Sequence, residues 1–191
     1  MKLCQLLFFF VLAFALTDGA APTYVSGQDS LFEPKKIVPY VPSPHVVVEK
    51  MLDLAGVRPG DLVYDLGSGD GRIVIAAAKK GAKAVGFEID DDLVGESRAN
   101  INRSGVQALA EIRNQDILTV NFSAATVVTI YLLPDVNRKL KPRLRTQLKP
   151  GARIVSHSFD MGDWRPDKTV RIAGRTVYLW VIRPKPNKTA R

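Results

Sequence analysis

The chain has 191 residues, a formal net charge of +8, 46% apolar and 24% charged residues. That suffices for one domain with a sizeable core, and the composition is globular rather than disordered or fibrous. Its single cysteine, Cys4, and its two histidines, His45 and His157, rule out a disulfide framework, a Cys-type zinc site and a histidine-based metal site unless carboxylates complete it, so no metal is expected.

The N-terminus opens with Lys2, an apolar run over 6–16 (LLFFFVLAFAL) and a small, polar exit. Residues 1–19 resemble a secretory signal peptide, with Thr17 and Gly19 as the small positions before a cut. The run is short for a bilayer span. An exported or membrane-anchored protein is expected, a cytoplasm-facing anchor being the alternative. Cys4 lies in this leader, so a processed chain would have no cysteine nucleophile.

Residues 20–43 hold Pro22, Pro34, Pro39 and Pro42 and read as an extended arm. One domain then covers 44–185, ahead of a basic tail over 186–191. Ser43 is expected to cap a helix over 45–55, with Pro44 at its first position and Val47, Met51 and Leu54 on one apolar stripe. Gly56 stops it, and a turn over 58–61 leads into a strand at 62–66. A glycine loop and an apolar helix over 72–80 follow.

A strand over 84–87 ends in Glu88-Ile89-Asp90, and a helix over 91–102 starts with acids in its first turn, as the helix dipole prefers. A strand over 108–112 ends near Asp116. The next, 126–130, is almost wholly apolar and should lie at the centre of a sheet. After Tyr131 a helix over 135–148 is expected to bend or break at Pro142. Strands over 153–158, 169–172 and 175–183 close the chain, the last two joined by a hairpin turn at Ala173-Gly174. Residues 136–191 hold 15 basic against 3 acidic side chains, +12, whereas residues 1–135 stand at −4. With no aromatic interleaving for base stacking, this reads as a solvated basic face and no nucleic acid is expected.

Alternating strands and helices predict an α/β, doubly wound, mostly parallel Rossmann-like sheet with a C-terminal antiparallel hairpin. Ligands of such sheets bind beyond the C-terminal strand ends, where the strand order reverses. Asp65, Glu88, Asp116 and Tyr131 all fall at such ends.

The loop Asp65-Leu66-Gly67-Ser68-Gly69-Asp70-Gly71-Arg72 discriminates between nucleotide ligands. Glycines at every second position bring a ligand against the backbone and a helix N-terminus. A dinucleotide fingerprint has its third glycine one residue later, where this chain has Arg72. Asp65 suits an ammonium rather than a pyrophosphate, so D-x-G-x-G-x-G favours S-adenosylmethionine over NAD. Glu88 is placed to accept from both ribose hydroxyls. Asp116 is placed to accept from the adenine amino group while the Ile117 amide donates to the ring. An Asx-turn is an equal reading of Asp116. No Ser/His/Asp set or P-loop is visible, so hydrolase and kinase readings have no support.

These residues resemble class I S-adenosylmethionine-dependent methyltransferases. The words Pro39-Tyr40-Val41-Pro42, the glycine loop, Ala84-Val85-Gly86-Phe87-Glu88 and Trp164-Arg165-Pro166-Asp167 resemble small membrane-associated protein-lysine methyltransferases, a group that includes the mitochondrial enzymes acting on the c-ring protein of ATP synthase and on the adenine nucleotide translocase. The resemblance implies methyl transfer to a protein lysine, a cofactor contact from Tyr40 and a hydrophobic targeting or anchoring segment. Tyr131 is the first choice for orienting the amine, with Tyr40 and Trp164 shaping the pocket; ordinary core or lid packing is an equal reading of Trp164. Small-molecule methylation and a catalytically silent cofactor-binding partner are the alternatives.

Overall fold

The structure, a computed structural model, describes residues 40–184. The leader over 1–19, most of the arm over 20–43 and the basic tail lie outside the described residues. Helix α1 (His45–Leu54) precedes β1 (Leu62–Leu66), α2 (Arg72–Lys79), β2 (Lys83–Glu88), α3 (Asp91–Arg103) and β3 (Ala110–Asn114). Then come β4 (Val127–Ile130), α4 (Pro134–Gln147), β5 (Arg153–His157), β6 (Lys168–Ile172) and β7 (Arg175–Val181). The sheet order is β3-β2-β1-β4-β5-β7-β6. Strands β1 to β5 run parallel, and β7 pairs antiparallel with both β5 and β6. The expected doubly wound sheet with its closing hairpin is therefore present.

Side-chain alternation divides the core. Val63, Val127 and Val155 pack with α1, α2 and α3 on one face. Tyr64, Leu66, Val128, Ile130 and Ile154 pack with α4 and Phe122 on the other. The chain thus leaves β1 toward one face and β4 toward the other, which opens a crevice between neighbouring strand tips.

Four local expectations change, the last only in that the helix is not broken. The Ser43 hydroxyl does not cap α1: Pro44 occupies the N-cap position, and its carbonyl accepts from Val47 and Val48. The buried stripe of α1 is Val47, Val48, Met51 and Leu52, with Leu54 only half-buried. Strand β3 begins two residues late, at Ala110, because the Leu109 amide donates to the Val106 carbonyl and that residue belongs to the turn after α3. Helix α4 runs unbroken through Pro142. That proline is exposed, so water can satisfy the carbonyl left without a donor, while Val136, Leu140 and Leu144 anchor the buried side.

The N-terminal edge of the sheet is braced by Asp61. Its buried carboxylate accepts from the Thr126 hydroxyl at 2.8 Å, the Arg58 amide at 3.0 Å and the Arg153 guanidinium. Arg153 also donates to the Ala55 carbonyl at 2.9 Å and so closes the end of α1. Burial alone would raise the Asp61 carboxyl, but these donors outweigh it and hold it below the usual carboxylate range. Replacing Arg153 by Ala should therefore destabilise the fold by about 2 kcal/mol, the scale of a hydrogen bond to a charged group. Denaturant titration would measure it, and an unshifted midpoint would show that the brace contributes nothing.

Candidate functional site

A cleft opens over the tips of β1, β2 and β4, lined among others by Tyr40, Asp65, Ser68, Glu88, Asp116 and Tyr131. Its floor is the glycine loop. The Gly67 and Ser68 amides both donate to the Phe87 carbonyl, which ties the loop to β2. Gly71, at φ 80°, is the N-cap of α2 and turns the chain in a left-handed step that a side chain would strain. At Gly69 a Cβ would run into the Tyr40 ring, so this position must be glycine for the arm to lie on the loop.

Asp65 lies fully buried at the end of β1. Its Oδ1 accepts from Thr129 on the neighbouring strand at 2.6 Å, while Oδ2 has no hydrogen-bond partner among the described residues. Burial raises this carboxyl to about 7, and the nearby Glu88 and Asp70 charges add to the shift against the Thr129 bond. A buried carboxylate with a free oxygen, facing two further acids, fits a cationic ligand group.

Glu88, at the tip of β2, is held from behind. Its Oε2 accepts from the Gly69 amide at 2.9 Å, and its Oε1 from the Ile89 and Asp90 amides at 2.8 and 3.1 Å. The carboxylate therefore sets the shape of the glycine loop besides lining the cleft. Asp90 rather than Glu88 caps α3, accepting from Asp92 and Leu93. Asp116 makes the Asx-turn weighed for it, its Oδ1 accepting from the Leu118 amide at 2.8 Å, and the residue also lines the cleft beside the buried Ile117.

The arm is fastened to this floor. Arg72 grips Asp70 through Nε and Nη2 and donates from Nη1 to the Ser43 carbonyl at 2.8 Å. Asn100 of α3 in turn donates to the Asp70 carbonyl. Burial would raise the Asp70 carboxyl, yet the Arg72 bonds hold it below its ordinary range. The Tyr40 hydroxyl is pushed upward by burial and by the Asp70 charge. Tyr131, past the end of β4, stacks on His157 with ring centroids 3.9 Å apart. His157 in turn shares a 2.8 Å hydrogen bond with Ser43.

The structure thus gathers Tyr40, Asp65, Gly67, Ser68, Glu88, Asp116, Ile117 and Tyr131 around one cleft, on a loop shaped by Gly69 and Gly71. Trp164 is not among its walls. It packs on Trp180 at 6.0 Å, takes the Arg145 guanidinium over its ring and lines a different groove beside α4. Its carbonyl accepts from the Trp180 indole at 2.7 Å, and Asp167 accepts from the Val181 amide, so the Trp-x-Pro-Asp word ties β7 to the segment before β6. Sequence reasoning missed Ser43 in the cleft wall, and Thr129 and His157 behind it. Polar residues at the ends of apolar strands were the available signal for the last two. Among the described residues no cluster of three or more metal-ligating side chains occurs.

Comparison with known proteins agrees with this geometry. The model of the ANTKMT methyltransferase domain matches residues 65–168. A protein-lysine N-methyltransferase of Saccharolobus islandicus is 49% identical over 151 residues, covering 76% of this chain and 94% of that protein. The adenine nucleotide translocase lysine N-methyltransferase of Mus musculus is 40% identical over 130 residues, covering 68% of this chain and 56% of that protein. The crystal structure of an RNA methyltransferase from Salinibacter ruber, in complex with S-adenosyl-L-homocysteine, matches with a TM-score of 0.74 and 53% identity over 79% of this chain and all of that one.

The raised Asp65 carboxyl makes a pH prediction. In the ligand-free fold it holds a proton up to about 7, whereas the unfolded chain releases it near 4. Stability therefore falls as pH rises through that window, and above it the full penalty applies. Asp65→Asn should be more stable than the wild type at pH 8 by about 2–4 kcal/mol, with the gap closing toward pH 4. Thermal unfolding across that range tests this; parallel pH profiles for the two proteins would show that Asp65 titrates normally.

Proposed function

The chain belongs to the ANTKMT methyltransferase domain family, and on that premise we propose how its site works: as an S-adenosylmethionine-dependent protein-lysine N-methyltransferase whose acceptor belongs to a membrane-associated protein. The observation that carries the cofactor half is the buried Asp65 carboxylate with its unpartnered Oδ2 at the floor of the cleft. Asp65 would hold the ammonium of the cofactor's amino-acid end, and the α2 N-terminus its carboxylate. Glu88 would take the ribose hydroxyls, and Asp116 with the Ile117 amide the adenine. Tyr40, lying on Gly69, would cover the bound molecule.

S-adenosylmethionine supplies a methyl group already activated on a sulfonium. The protein's part is then to hold an amine in line with it and to receive that amine neutral. The cleft favours the neutral form by desolvation, which depresses a lysine pKa. The Tyr131 hydroxyl and the backbone carbonyls at the β4 tip would orient the amine lone pair. No general base is required once the amine has entered uncharged.

Surface character supports a membrane-associated acceptor. The large apolar side chains exposed among the described residues are Tyr40, Val41, Val46 and Leu133. Two of them line the cleft, and the others lie within three residues of the lining Ser43 and Leu132. The apolar run over 6–16 precedes this same arm and would bring the cleft to a membrane as a leader or anchor. A cytoplasm-facing anchor fits the cofactor supply better than export. A second reading, an RNA acceptor, has in its favour the +12 charge of residues 136–191 and the likeness to the Salinibacter ruber RNA methyltransferase.

Incubation with labelled S-adenosylmethionine and a membrane extract, followed by hydrolysis of the products, separates these readings. Label is expected in methyl-lysine; label recovered in RNA would overturn the protein acceptor. Glu88→Ala should weaken binding of S-adenosylhomocysteine by about 1.5–3 kcal/mol in calorimetry. Unchanged affinity would remove Glu88 from the site. Tyr131→Phe should lose most methyl transfer at unchanged cofactor affinity, and full turnover in that variant would refute the orienting role.

A further inference from the structure

We propose that His157 is a positioning residue that locks the proline arm to the acceptor side of the cleft, through Ser43 on one side and Tyr131 on the other. The proposal rests on reading the cleft as the S-adenosylmethionine site. It goes beyond that reading because His157 itself does not line the cleft.

Strand alternation explains the placement. Thr129 pairs with Val155 and Ile130 with Ser156, so Tyr131 and His157, one step further on, face the same side of the sheet. That is the side on which α1 packs, and the start of α1 brings Ser43 to the edge of the ring at Nδ1. His157 is fully buried, its Nδ1 lies 2.8 Å from the Ser43 Oγ, and its ring stacks on Tyr131 at 3.9 Å and 32°. The arm is then held at Ser43 twice, at its carbonyl by Arg72 and at its hydroxyl by His157.

A histidine serving only to fill space would be a poor choice here. Its Nε2 is buried without a hydrogen-bond partner, a cost that a phenylalanine ring would not incur. The backbone beyond it is also bent at some expense. Ser158 takes φ 62°, the left-handed region that a serine enters only under constraint. The chain hooks back there, with the Phe159 amide donating to the His157 carbonyl and the Ser156 hydroxyl to the Phe159 carbonyl. The Phe159 ring comes to lie nearly parallel to Tyr131, 6.3 Å away. Tyr131 is thus bordered by two rings carried on one strained turn, and one of them grips the arm. Burial and the Arg175 charge lower the imidazole to about 4, so at neutral pH the ring is uncharged and too weak a base to deprotonate an amine. It acts by placement.

Calorimetry with S-adenosylhomocysteine, alongside thermal unfolding and steady-state transfer, tests this on four variants of the full chain. Ser43→Ala and His157→Phe should each weaken cofactor affinity two- to tenfold, the range of one neutral hydrogen bond. The double variant should be no weaker than His157→Phe, since both remove the same bond. His157→Asn, whose amide reproduces the Nδ1 position, should keep affinity within twofold yet lower kcat, because Tyr131 loses its stacking partner. Affinity unchanged in Ser43→Ala, which lies on the arm and leaves the core intact, would overturn the proposal even if the His157 variants failed to fold. Additive losses in the double variant would overturn it as well. Wild-type protein that bound no sulfur cofactor would remove the cofactor reading and this proposal together; wild-type binding with unaltered variants would remove the role of His157 alone.

Discussion

Strands β1 and β4 are hydrogen-bonded neighbours, yet the chain departs from their tips toward opposite faces of the sheet. The loops that follow cannot fill the space between them, and this geometric divergence creates the cleft. Every residue argued to act on a ligand either sits at a strand tip beside that gap or is carried over it by the arm. The alternation of side chains along the strands then decides which groups meet. Asp65 pairs with Thr129 across β1 and β4, and Tyr131 meets His157 across β4 and β5.

The electrostatics of the gap follow from the same placement. Asp65, Glu88 and Asp70 converge where a helix N-terminus also points. Their charges are handled differently. Asp70 is neutralised by Arg72, Glu88 is solvated by three backbone amides, and Asp65 keeps a bare buried oxygen. Only the last is costly in the ligand-free fold, and a positively charged ligand group would relieve it. Stability is thus surrendered at Asp65, where binding can recover it, the trade expected of a preorganised site.

The arm is the other half of the arrangement. Proline fixes its backbone, but proline cannot say where an extended segment lies. Among the described residues, 40–43 of the arm meet the bare face of Gly69 beneath Tyr40, the Arg72 guanidinium at the Ser43 carbonyl, and His157 at the Ser43 hydroxyl. None of these is a contact of the apolar core, and two of them are directional bonds to a surface already built.

Much of this was legible locally. The first strand, the glycine loop, the acids at the strand tips and the closing hairpin all follow from periodicity, glycine spacing and turn residues, which act within a few positions along the chain. The D-x-G-x-G-x-G spacing and the in-register Glu88 were enough to choose a sulfonium cofactor over a dinucleotide. Relations between distant segments were not legible there and emerge only in the folded chain. Ser43 looked like a helix cap and is instead bonded to His157, 114 residues away. Arg72 read as a departure from a dinucleotide motif and turns out to clamp the arm. Trp164, readable as a pocket wall or as packing, takes the packing role and braces β7 in another groove. Each of these depends on where α1, α4 and the hairpin come to rest on the sheet. That docking is set by the summed packing of both faces, which no local pattern encodes.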